Sequence, residues 1–134
     1  MRYLGIDYGK RWIGLAIADT NVDVVLPILA IENKNREKTL NQLKEFIKSE
    51  KIDEAVIGVP HSLNYSQSQQ TKETLEFIKV FREFIKLPVR EEDERLTSQG
   101  AARLAVNGFG KETRMHSNAA MLILESFIAR QKKE

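Results

Sequence analysis

The sequence predicts an α/β domain: a mixed five-stranded sheet, made of a three-strand antiparallel meander and further parallel strands, flanked by helices. Three observations lead there. Short apolar runs separated by polar, Gly-containing breaks open the chain. At Arg36 the apolar spacing changes to three and four residues, the period of a helix. A continuous apolar run, Ala55-Val56-Ile57-Gly58-Val59, then follows, as in a strand buried on both faces.

Tyr3-Leu4-Gly5-Ile6 forms the first strand and leads into Asp7. Tyr8-Gly9-Lys10-Arg11 is the break, and Trp12 to Ala18 forms the second strand of a hairpin. Val22 to Ile31 is the third. Pro27 within it cannot donate to a ladder, so this strand is expected at an edge or broken there. Arg36 to Lys51 reads as a helix with Leu40, Leu43 and Ile47 on one face. Asp53 to Val59 is the buried strand, and a strand–helix–strand crossover implies parallel pairing. Pro60 to Gln70 is a polar loop, and Thr71 to Lys86 a helix carrying Leu75, Ile78, Phe81 and Ile85. Val89 to Glu91 is a short fifth strand, with Glu92 to Arg95 a charged cluster just beyond it. Thr97 reads as the N-cap of a helix ending near Gly108, Phe109 to Met115 as a loop, and Ser117 to Arg130 as the last helix.

Composition narrows the function classes. The 134 residues suit one domain, 1–134. The apolar share of 42% and charged share of 30% argue against disorder. Twenty-one Lys and Arg against nineteen Asp and Glu leave +2, a slight basic lean. The absence of cysteine excludes disulfides, Cys-ligated zinc and thiol nucleophiles. No apolar run approaches a membrane span and no signal-peptide pattern opens the chain, so no membrane partner and a cytoplasmic location are expected.

Three places could carry chemistry. Asp7 ends an apolar strand with Gly9 and Gly14 close behind, where a phosphate backbone could approach; a turn acid before a hairpin glycine fits equally well. Glu92-Asp93-Glu94-Arg95 crowds carboxylates that favour a divalent cation, or forms a solvated run before a helix. His116 opens the last helix as a ligand, a proton carrier or a cap. P-loop, nucleophile-elbow and His-Glu-x-x-His motifs are absent. With both histidines already assigned, His61 to the polar loop and His116 to the last helix, a zinc site of several histidines is excluded. If the fold gathers the acids and His116, they suit Mg²⁺ or Mn²⁺.

The chain resembles the YqgF/RuvX family of RNase H-like nucleases nearly end to end. The resemblance rests on Leu4-Gly5-Ile6-Asp7-Tyr8-Gly9, Arg11-Trp12-Ile13-Gly14-Leu15-Ala16, Ile57-Gly58-Val59-Pro60, Asp93-Glu94-Arg95-Leu96-Thr97 and Asn118-Ala119-Ala120. It implies an RNase H-like fold and metal-dependent phosphodiester cleavage. The expected task is processing the 5′ end of precursor 16S rRNA; Holliday-junction resolution, favouring a homodimer, is the alternative. A non-catalytic nucleic-acid-binding module is a further one. On the family pattern Asp7 is the primary catalytic carboxylate and Asp93-Glu94 supplies the second. In a two-metal scheme Asp7 would bridge the ions, Glu94 or Asp93 would ligate one, and His116 would ligate or orient the other. Lys10, Arg11, Lys111 and Arg114 flank the two active loops and would either track phosphates of precursor rRNA or branched DNA or stand as ordinary solvated cations. Arg95 would contact substrate or hold a neighbouring acid. Two features depart from the family: His116 stands where Asp is usual, and Asn64-Tyr65-Ser66 lacks the usual Asp-Gly. An imidazole there should loosen Mg²⁺, which prefers oxygen, and favour Mn²⁺.

Overall fold

The computed structural model describes residues 1–60, 69–93 and 111–132, with side chains from 116 onward in the last segment. Strands β1 (Arg2–Asp7), β2 (Trp12–Asp19) and β3 (Val24–Glu32) precede helix α1 (Arg36–Ser49). Then come β4 (Glu54–Val59), α2 (Gln69–Phe84), β5 (Val89–Asp93) and α3 (Lys111–Lys132). The sheet runs β3-β2-β1-β4-β5. The β1–β2 and β2–β3 pairs are antiparallel, and β4 pairs parallel with both β1 and β5. This is the mixed α/β sheet that the sequence predicts. The expected helix from Thr97 to Gly108 and the loop residues His61, Asn64, Tyr65 and Ser66 lie outside the described residues.

Two cores sandwich the sheet. Leu4, Ile6, Ile13, Leu15 and Ile57 face Leu40, Leu43 and Ile47 of α1 and Phe77, Ile78 and Phe81 of α2. The alternate residues Tyr3, Ala16, Ala18 and Val56 face Ala120, Ile123, Leu124 and Phe127 of α3. The period of two along each strand makes this division, so Asp7, four residues after Tyr3, turns to the α3 face.

Local chemistry explains where the elements stop. Asn35 caps α1, its side chain accepting from the Lys38 amide at 3.1 Å. The helix stops at Ser49, short of the expected Lys51. Lys51 is left-handed (φ 53°), and the Ile52 amide reaches back to the Ile47 carbonyl at 3.0 Å. That is a Schellman closure without glycine, sealed by contact between buried Ile47 and Ile52. Strand β3 is at the edge, as Pro27 requires. Its register slips against β2: Ile13 pairs with Ile31, but Leu15 with Ile28, so Leu29 and Ala30 share the span opposite Gly14. This is a one-residue bulge.

Two expectations are corrected. Helix α3 begins at Lys111, where a loop to Met115 was expected. Lys111, Glu112 and Arg114 are good helix formers, but a polar first turn shows no apolar period. His116 therefore stands inside the helix and is not its cap. Glu92 is the second correction: it belongs to β5, paired with Gly58, and is buried. Among the described residues no helix is long and apolar enough to cross a membrane.

Candidate active site

Asp7 ends β1 at the edge of the sheet that carries the C-terminal ends of the parallel strands. Its residue exposure is only 7%. His116, in the second turn of α3, brings Nδ1 to 2.8 Å from Asp7 Oδ2. The two are 109 residues apart in sequence, so the fold alone joins them.

Glycine makes the approach possible. A Cβ on Gly14 would collide with the carbonyl and backbone carbon of His116. Gly14 pairs with Asp7 across the hairpin, so the helix can rest against β2 only where no side chain intervenes. The bulge completes the seat: Ser117 Oγ donates to the Ile28 carbonyl at 2.5 Å. A Cβ on Gly9 would lie 3.0 Å from His116 Cε1 and would strike the Trp12 carbonyl. The imidazole thus sets its Cε1–Nε2 edge against Gly9 and its Nδ1 toward Asp7.

The 2.8 Å separation also suits shared coordination. Two donors occupying adjacent corners of an octahedral hard cation sit about 3 Å apart, given bonds of about 2.1 Å. The distance is thus that of neighbouring ligands on one cation, which would require the carboxylate and imidazole lone pairs to turn from each other toward the ion. Among the described residues no group of three or more His, Asp or Glu forms a metal cage. The expected third ligand, Glu94, lies outside them, as does Arg95.

The acids of β5 divide between the two faces. Glu91 meets Arg82 of α2 at 3.5 Å, whereas Glu92 turns to α3. Its carboxylate accepts from Ser126 Oγ at 2.8 Å and pairs with Arg130. Glu92 is a fastening between β5 and α3 and is unavailable to a cation. Asp93 ends β5 opposite Val59 and, by alternation, lies on the face of Glu91, opposite to that of Asp7.

The basic residues of the β1–β2 turn stand beside the site. Lys10 and Arg11 are exposed. The Arg11 guanidinium lies 5.9 Å from the centroid of the Trp12 ring, and Lys10 Nζ lies 3.8 Å from Glu73 Oε1. Lys111 and Arg114 fall in the first turn of α3; their side chains lie outside the described residues. Two contributors were not legible beforehand. Ser117 gave only a helix-start signal, and Asn33, whose amide donates to the Gly9 carbonyl, gave none.

Comparisons with known proteins agree with this architecture. A relative from Caldanaerobacter subterraneus subsp. tengcongensis, named "Putative pre-16S rRNA nuclease", is 32% identical, covering 98% of this chain and 99% of its own. A relative of the same name from Maridesulfovibrio salexigens is 34% identical over 97% and 99%. Among solved structures, T. thermophilus RuvC in complex with a Holliday junction substrate superposes with a TM-score of 0.63. That likeness covers 98% of this chain and 96% of the other at 14% identity, and it establishes the RuvC-like, RNase H-type fold. Residues 1–130 match the RuvX family, described as Holliday junction resolvase. With that match along almost the whole chain, and with relatives more than 30% identical over nearly their full length, this chain belongs to the RuvX family.

Proposed function

We propose that this chain is a metal-dependent nuclease that hydrolyses phosphodiester bonds, with the 5′ end of precursor 16S rRNA as its substrate. The observation that carries the reading is the Asp7–His116 pair, held at 2.8 Å at the end of β1 beside a basic turn. The relatives named for precursor 16S rRNA supply the substrate class.

Asp7 and His116 would hold a divalent ion, Mg²⁺ or Mn²⁺, with Glu94 as the second carboxylate. Glu94 is preferred to Asp93 because Asp93 lies on the opposite face of β5 from Asp7. When bound, such an ion activates water and stabilises the leaving oxygen. Asp7 is fixed by its strand, so its carboxylate is oriented before substrate arrives. His116 is fixed by Gly14 and Ser117, so its ring nitrogen needs no search. Lys10 and Arg11 neutralise phosphates flanking the scissile bond and set the register of the strand, without reading sequence. Lys111, Arg114 and Arg95 would extend that contact.

The family description favours a second reading, four-way DNA junction resolution by a homodimer. A cleavage panel of precursor rRNA, single-stranded RNA and four-way DNA junctions, each with Mg²⁺ and Mn²⁺, separates them. Cleavage of the precursor RNA that needs a metal, and is lost in Asp7→Asn with the fold intact, is expected. Junction cleavage alone selects the second reading. Binding without cleavage of any member would make the chain a nucleic-acid-binding module.

A further inference from the structure

The chain must turn through Tyr8–Arg11 between Asp7 and the start of β2 at Trp12. Turns that carry functional groups are ordinarily among the more mobile parts of a fold. This one is tied on three sides. Tyr8 stacks on Phe77 of α2 with ring centroids 4.4 Å apart. Lys10 meets Glu73 in an exposed, weak pair. The third tie is Asn33, in the connection between β3 and α1. Its backbone amide donates to the Arg11 carbonyl at 2.7 Å and its Nδ2 donates to the Gly9 carbonyl at 3.0 Å.

The Asn33 side chain is itself oriented. Thr39 Oγ1, on α1, donates to Asn33 Oδ1 at 3.3 Å, and Thr39 is buried. An amide whose oxygen receives a hydroxyl proton must present its nitrogen on the other side, here to Gly9. Gly9 lies against the Cε1–Nε2 edge of the His116 ring, where a Cβ would come within 3.0 Å of Cε1. The chain Thr39–Asn33–Gly9–His116 therefore links a buried helix position to the candidate metal ligands.

We infer that Asn33, oriented by Thr39, is a positioning residue for the Asp7–His116 site, fixing the turn that lies against the imidazole and presents Lys10 and Arg11. This rests on the reading of Asp7 and His116 as metal ligands. Partners bonded directly to a metal ligand typically contribute about ten- to a hundredfold in metal affinity, and Asn33, one step further out through Gly9, is expected at the low end, about tenfold.

The test uses Asn33→Ala, Thr39→Val and Thr39→Ser in the full chain. Amide hydrogen exchange across residues 8–12 is measured without metal, and Mn²⁺ affinity is measured calorimetrically without substrate. Thr39→Val removes the hydroxyl at nearly constant shape; Thr39→Ser keeps it. Expected are faster exchange in the turn and about tenfold weaker Mn²⁺ binding in Asn33→Ala, a smaller shift of the same kind in Thr39→Val, and wild-type behaviour in Thr39→Ser. A merely structural role would lower the melting temperature and leave Mn²⁺ affinity untouched. Unchanged turn exchange overturns the inference, as does unchanged affinity when the wild type binds Mn²⁺. A wild type that takes up no Mn²⁺ overturns the metal reading itself, and the exchange measurement still decides whether Asn33 holds the turn.

Discussion

Asp7 and Glu92 are both buried carboxylates, on the same face of the same sheet. Each meets helix α3. Their neighbours differ. Glu92 receives a hydroxyl and a guanidinium, from Ser126 and Arg130. A guanidinium is always charged, has no acceptor and cannot bind a cation, so that pair is closed to further chemistry. Asp7 faces an imidazole, whose nitrogens can donate, accept or coordinate. Burial of an acid therefore does not distinguish a site from a fastening; the partner's chemistry does. The two ends of α3 differ in what they meet: His116 and Ser117 form the candidate site with Asp7 and the Ile28 carbonyl, while Ser126 and Arg130 hold the helix to β5.

That contrast can be broken residue by residue. Asp7→Asn should cut metal-dependent turnover by about a thousandfold, corresponding to the several kcal/mol a metal centre contributes, with an unchanged melting curve. Comparable turnover in wild type and variant would remove Asp7 from the mechanism. Glu92→Gln should do the reverse. It weakens the contacts to Ser126 and Arg130 and should cost about 1–3 kcal/mol in urea unfolding, while each folded molecule cleaves at the wild-type rate. Loss of turnover without loss of stability would place Glu92 in the chemistry.

The difference between the two acids can also be sharpened at the partner. His116→Asp supplies an oxygen ligand where nitrogen stands, and should raise Mg²⁺-supported over Mn²⁺-supported activity by about tenfold. An unaltered metal ratio would mean that His116 is not a ligand. The smallest effect is expected at Tyr3, which shares the α3 face with both acids. Burial first, and then the charge of Glu54, raises its phenol above the ordinary 10.0. The folded state then holds that proton more tightly than the unfolded one. The associated stability is complete below about pH 10 and declines as pH rises through 10 toward the folded value. Tyr3→Phe should flatten that alkaline decline in urea midpoints, and identical pH curves for the two proteins would exclude Tyr3 as its source.

The sequence made the scaffold legible where local pattern and burial coincide. The hairpin, the all-apolar run of β4 and the helical face of Leu40, Leu43 and Ile47 each bury what their period indicates. Asp7 was legible as the acid that ends an apolar strand; spacing alone left a turn acid equally open, and only the resemblance singled it out as the catalytic carboxylate. Glu92 was not. Its role depends on Ser126 and Arg130, 34 and 38 residues away, and no local pattern carries that distance. The beginning of α3 was hidden because its polar first turn lacks an apolar stripe. The same limit applies to Asn33, whose importance lies in two carbonyls on another connection.

Strand β3 leaves Val24, Leu26 and Leu29 open to water, a greasy rim on a sheet edge. Such rims ordinarily invite stacking between molecules and, at high concentration, fibrous assembly. Pro27 denies a neighbour one donor, and the kink at Leu29–Ala30 breaks the straight line that a foreign strand would need. The irregularity that seats Ser117 thus also works against unwanted polymerisation, so straightening it would endanger solubility as well as the site.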